Sequence, residues 1–212
     1  MNAIISLCRV DWVAVGTWAL AAVTLMLFRA TKGLVKEAQA SLAAQAADSK
    51  QRAEDSKTDL KVRLHMTMEE KFDSDQMVLN RARLAFWFLN KAPHDEIREP
   101  VLDFFESLAI LDRRGMLDAE LTWNSFSFYA TRWWSACKGY VAEERKRQEE
   151  DPNQPLSFTE FEAFAARLYD KEAQERGTAR SEVEAEPDSE ETKKFLRDEF
   201  ALKPDIREYR PS

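Results

Sequence analysis

Residues 119–148 read AELTWNSFSFYATRWWSACKGYVAEERKRQ, and this stretch decides the fold class. At about 100° per residue, Trp123, Phe126, Ala130, Trp133, Trp134, Cys137 and Val141 gather on one face of a helix that begins after Asp118 and runs to about Gln148. A helix with so aromatic a face must bury it against other elements. Its neighbours in sequence supply three more helices, each with its own punctuation. The first follows Asp73 and Ser74, with Gln76 three residues after Asp73 as a capping box, and runs to about Asn90. The second opens near Pro100, which a first turn tolerates, and stops at Gly115. Beyond the breaking run Asp151-Pro152-Asn153-Gln154-Pro155, Ser157 and Glu160 form a capping box for a helix bearing Phe158, Phe161, Phe164 and Leu168, which Gly177 ends. Seventeen of the 23 aromatic residues fall between 69 and 176. No strand-alternating run or βαβ spacing competes, so the expectation is an all-α chain with a small four-helix bundle over 69–177. Its aromatic core is expected to comprise Phe105, Trp123, Phe126, Trp133, Trp134, Phe161 and Phe164.

On the N-terminal side, Trp12–Phe28 reads WVAVGTWALAAVTLMLF, seventeen residues without a charge. As a helix this covers roughly 26 Å, slightly short of a hydrocarbon core of about 30 Å, and Ala3, Ile4, Ile5 and Leu7 add apolar length. Residues 1–29 therefore read as a transmembrane anchor with the lipid bilayer as partner. The rival reading is a cleaved signal peptide ending at Ala38-Gln39-Ala40. That site lies about ten residues past the apolar run, across Arg29, Lys32, Lys36 and Glu37, whereas cleavage follows such a run closely. Arg29, Lys32 and Lys36 after the span, against Arg9 alone before it, predict an outside N-terminus and a cytoplasmic C-terminal domain. Cys8 and Cys137 then lie on opposite sides of the membrane, and Cys137 reads as a small buried hydrophobe.

Residues 30–68 read as a helical neck. No residue between Ala43 and Asp59 is an apolar one larger than Ala, so this stretch cannot enter a core. Ala46, Ala53 and Leu60 recur every seven residues beside Val35, Leu42, Ser49 and Ser56, a pattern suited to a solvated single helix or a weak coiled-coil self-association. Fully helical, the neck would reach roughly 55 to 60 Å. After Gly177, six acids and no base fall between Glu182 and Glu191, which predicts a disordered acidic tail over 178–212. Within it, Phe195, Leu196, Phe200 and Leu202 make a short amphipathic helix, either folded back on the bundle or presented to a partner.

The chemistry of the chain is sparse. With 31 basic and 38 acidic residues the net charge is −7, the wrong sign for a nucleic-acid partner. There is no Gly-rich phosphate loop, GxSxG, CxxC or HExxH, and no cofactor is expected. His65 and Glu69 share a helical face four residues apart, but two ligands without a third do not hold zinc, and a solvated surface is expected there. One position departs from this pattern. Arg81 falls with Val78, Ala85, Phe88 and Leu89 on the apolar face of its helix, whereas Arg83 points to solvent. A guanidinium placed there must snorkel or meet an acid. Glu106 is the first candidate partner and Asp103 the second, both on the narrow polar stripe of the next helix, in a structural ion pair.

Arg81 with Ala85, Phe104-Phe105-Glu106, Arg114-Gly115, Trp123, Phe126, Trp133-Trp134 and Arg145, in that order, resemble a bacterial family of membrane-anchored helical proteins known only as a domain of unknown function. The resemblance covers about 60–170 and the anchor. It implies an N-terminal membrane helix followed by a helical cytosolic domain, and it supplies no activity and no catalytic residue. The expectation is therefore a single-pass inner-membrane protein serving as a scaffold, interaction or sensor module for a protein partner. The alternative is a membrane-tethered enzyme or anion-binding domain that uses an Arg and acid pocket.

Overall fold

The computed structural model describes residues 4–91, 99–148 and 156–203, with side chains from Val15 onward. The described residues form helices without a strand: α1 (Ile4–Asp73), α2 (Asp75–Asn90), α3 (Pro100–Arg113), α4 (Ala119–Gln148), α5 (Thr159–Arg176), α6 (Arg180–Val183) and α7 (Glu190–Ala201). They divide into two units, Met1–Lys57 and Thr58–Ser212.

The first unit is helix alone. Every described side chain from Val15 to Lys57 is exposed, including Trp18, Leu20, Met26 and Phe28. Thr24 and Thr31 donate their hydroxyls back to the carbonyls of Leu20 and Leu27, both at 2.8 Å, so that neither leaves a polar group unpaired on the apolar stretch. This is one helix long and apolar enough to cross a membrane. Further along, Asp48–Arg52 at 2.7 Å and Glu54–Lys57 at 3.3 Å are surface pairs one turn apart.

The second unit contains the core. It begins eleven residues before 69, because the last turns of α1 pack inward through Leu64, His65, Met68 and Phe72. Phe72 sits among Phe104, Phe105, Phe126 and Tyr129, with ring centroids 4.9 to 5.8 Å away. Phe105 stacks on Phe161 at 5.0 Å, and Trp134 meets Phe161 edge-on at 5.3 Å. Phe126, Trp133 and Phe164 are also buried. Trp123 departs from the expected core. It is half-buried in the second turn of α4, with the Lys171 ammonium 4.3 Å above its ring.

Local signals set most helix boundaries. The cap of α2 is Ser74, which accepts from the Met77 amide, and not the expected Asp73–Gln76 box, since Asp73 ends α1 and Gln76 turns to Asn80. Asp118 accepts from the amides of Glu120 and Leu121 at the start of α4. Gly115 and Gly177 take left-handed conformations (φ 65° and 66°) at the ends of α3 and α5. The box expected from Ser157 and Glu160 does not form. The residue before α5 is Phe158, held left-handed at φ 59° with its ring buried. Ser157 instead bonds twice to Gln148, at 2.5 and 2.9 Å, and its carbonyl accepts from Arg145.

The tail also differs from expectation. Residues 178–203 are folded, and α7 packs on α2 and α4, so the unit is more than a four-helix bundle. Three of the six acids pair with bases on α4: Lys138 pairs with Glu184 (3.6 Å) and Glu186 (3.2 Å), and Arg132 pairs with Glu191. Ser189 caps α7 by accepting from the Thr192 amide, while Phe195 and Leu196 supply apolar anchors.

Candidate functional site

Ser74 starts α2 in a register that turns Met77, Arg81, Leu84 and Ala85 inward. Arg81 is 5% exposed. Its Nε donates to Glu199 Oε2 at 2.7 Å and its Nη2 to Oε1 at 2.8 Å, a bidentate fork-to-fork contact with α7. Nη1 reaches the Phe72 carbonyl at 3.4 Å, and the guanidinium lies 4.2 Å from the Phe72 ring and 5.1 Å from that of Tyr129. One side chain thus ties together α1, α2, α4 and α7. Glu199 occupies the last turn of α7, where the helix dipole disfavours an anion, and the fork offsets that cost.

The partner is therefore neither Glu106 nor Asp103. Glu106 faces the start of α5 and accepts from the amides of Phe161 at 2.7 Å and Glu160 at 3.3 Å. It replaces the missing capping box, with its charge at the positive end of the helix. Asp103 is exposed. Its carboxyl is pushed above the ordinary value by partial loss of hydration and by the neighbouring charges of Glu99 and Glu106. Arg83 is half-buried and not turned wholly to solvent. Glu199 carried a signal that sequence could show: it lies three and four residues after Leu196 and Phe195, on the same stripe of α7. Replacing Glu106 by alanine should cost about 1 to 2 kcal/mol through loss of this charged cap. Hydrogen exchange should show the Glu160 and Phe161 amides opening faster while α2 stays protected.

The four tail positions proposed as partner-binding are placed differently from one another. Phe195 is buried with its ring 5.3 Å from Trp133, and Leu196 is buried beside it. Phe200 is half-buried against Phe86 at 5.6 Å, and Leu202 is exposed. A docked α7 cannot display Phe195 and Leu196 to a partner.

A second polar cluster joins α1 to α4. His65 is 3% exposed and not on a solvated surface, because α4 covers that face of α1. Its Nε2 lies 3.1 Å from Ser125 Oγ, and Ser125 donates to Glu69 Oε1 at 2.5 Å. Ser, His and Glu are the residue types of a nucleophilic triad, but the wiring differs. The serine proton goes to the carboxylate, the same carboxylate lies 3.3 Å from the same imidazole nitrogen, and the buried Nδ1 has no hydrogen-bond partner. The cluster fastens two helices and does not activate Ser125.

Tyr169 and Cys137 are likewise held within the core. Tyr169 donates to the Thr131 carbonyl at 2.6 Å and contacts Ser135 Oγ at 2.6 Å, and burial pushes its phenol up to about 12. Burial pushes the Cys137 thiol far above its ordinary value, which keeps it protonated and inert. Among the described residues, no group of three or more His, Cys, Asp or Glu side chains is placed to hold a metal ion.

No curated protein and no solved structure matches the chain. One family matches residues 16–168, described as a domain of unknown function, DUF4760. The matched stretch includes Arg81 and Glu106 and ends within α5, so α6 and α7, with Glu199, lie beyond it. By that coverage, the chain belongs to the DUF4760 family.

Proposed function

We propose that the chain is a single-pass protein of the bacterial inner membrane and that the unit beginning at Thr58 is a cytoplasmic interaction module, not a catalyst. The observation that carries this reading is the exposure of the apolar helix: Trp18, Leu20 and Met26 are 77%, 74% and 71% exposed. A helix of this composition that meets no protein is satisfied by lipid, and its backbone is already bonded internally. The module reading is supported by how the charged groups are used. Arg81, Glu106 and Glu69 hold helices together, and Arg81 has no free fork to offer an anion. Two copies of the neck would associate weakly through Val35, Leu42 and the small residues that follow them at heptad spacing.

The topology is tested by reporters fused at the C-terminus. A phosphatase that needs an oxidising compartment should be inactive there, and a reporter that folds only in the cytoplasm should be active. The reverse pattern overturns the orientation. Release of the protein from the membrane by a salt wash overturns the anchor.

A further inference from the structure

A cavity of about 390 Å³ lies between the end of α2, the second half of α4 and the Pro187-Asp188 turn that leads into α7. That volume is within the range of small-molecule sites. Gly139 helps to open it, since a Cβ there would meet nothing within 4 Å. The walls are aromatic. Phe88 and Tyr140 meet edge-on with ring centroids 6.4 Å apart, and Tyr140 is fixed by donating its phenol to Glu99 at 2.6 Å. Trp87 lines the cavity and is 8% exposed, yet its indole N–H makes no hydrogen bond among the described residues. A nearly buried donor without an acceptor costs free energy, which an acceptor carried by a guest recovers. The lining also carries both signs of charge. Lys91, Glu143 and Asp188 form no ion pair among the described residues, and Lys193 has Glu190 at 3.4 Å. Lys91 is held left-handed at φ 49°. A glycine would take that conformation at less cost but would bring no cation to the cavity.

We propose that this cavity binds a free α-amino acid with a large apolar side chain. Its carboxylate accepts from the Trp87 indole and pairs with Lys91, its ammonium meets Glu143 and Asp188, and its side chain lies against Phe88 and Tyr140. The class follows from the mixture of groups. A guest with an anion alone faces two carboxylates, and one with a cation alone leaves the indole N–H and Lys91 unanswered. An uncharged apolar guest covers charges on both sides without pairing them. The site adds a ligand to the interaction module and does not depend on which side of a membrane the module faces.

Isothermal titration calorimetry of the full chain in detergent, with L-phenylalanine as the probe, should show saturable binding at one site. 3-Phenylpropionate lacks the ammonium and 2-phenylethylamine lacks the carboxylate, so each should bind about tenfold or more weakly through loss of charge-assisted hydrogen bonds. Gly139→Leu fills the cavity from an exposed position of α4 and raises its helix propensity. Binding should vanish in that variant while the melting temperature holds or rises. Trp87→Phe keeps an aromatic wall but removes the donor, and should weaken L-phenylalanine about tenfold while leaving 2-phenylethylamine unchanged. Glu143→Gln, at an exposed position, should weaken L-phenylalanine and leave 3-phenylpropionate unchanged. The proposal is overturned by the absence of saturable heat with both L-phenylalanine and L-leucine, or by equal affinities for the three phenyl compounds. Binding that survives Gly139→Leu lies elsewhere on the protein and overturns it as well. None of these readings depends on the reporter fusions, so the site and the topology fail separately.

Discussion

Ending the chain after Gly177 is expected to abolish the cooperative unfolding transition of the second unit or to lower its melting temperature by tens of degrees. The truncation removes the buried side chains of Val183, Ala185, Thr192, Phe195 and Leu196 together with Glu199. Losing a core phenylalanine alone costs about 3 to 5 kcal/mol. Stranding Arg81 without its carboxylate adds to this, by less than the roughly 3 to 5 kcal/mol of an unsupported buried charge, because Phe72 and Tyr129 still hold the guanidinium. Against a typical domain stability of about 5 to 15 kcal/mol, these two losses leave little or nothing. Circular dichroism and differential scanning calorimetry of the detergent-solubilised protein would measure the effect, with Phe195→Ala as an intermediate case and Leu202→Ala, at an exposed position, as the control. The outcome that sinks this account is a truncated chain melting within a few degrees of the full one, which is what a loosely attached acidic tail would give.

That contrast shows what could be read from sequence and what could not. Helix ends were legible at Ser74, Pro100, Gly115, Asp118 and Gly177 because capping and φ preferences act within a few residues. The tail's fate was not legible, because half of its acids are paired with Arg132 and Lys138, bases on α4 some fifty residues earlier. Acid density read locally predicts disorder, and only the fold brings in the counter-charge. Arg81 shows the same division. Its place on the apolar face followed from periodicity, but its partner lies 118 residues away, and the nearer Glu106 looked as suitable. Glu106 was unavailable because α5 starts without a cap of its own: burial of Phe158 pulls the chain left-handed there, and the α5 amides take the carboxylate. His65 was misplaced for a related reason. The absence of large apolar residues from 43 to 59 rightly keeps that part of α1 out of the core, but the last turns beyond it carry Leu64, Met68 and Phe72 into it. The long apolar helix was legible because its signal is composition alone.

The second large effect belongs to the Arg81–Glu199 pair, and here the direction of asymmetry is the informative quantity. Both side chains are 6% exposed, so removing either partner leaves a charge with little water. Arg81→Ala is expected to cost about 3 to 5 kcal/mol, since Glu199 is left against apolar neighbours with no donor. Glu199→Ala should cost less. The guanidinium keeps the Phe72 carbonyl and the faces of Phe72 and Tyr129, and a desolvated cation over an aromatic ring is worth about 2 kcal/mol. The double variant Arg81→Met, Glu199→Leu should recover much of the loss, because apolar side chains of similar volume fill the site without stranding a charge. Asp103→Asn is the silent control: Asp103 is exposed, and Arg81 is bonded to Glu199 instead. A double-mutant cycle by urea unfolding yields the coupling directly, and it should change little between low and high salt because the pair is shielded from solvent. Equal costs for the two alanine variants would mean that the aromatic faces give Arg81 no support. A coupling below about 1 kcal/mol would place the pair with surface ion pairs and remove the buried fork as the fastening of α7 to α2.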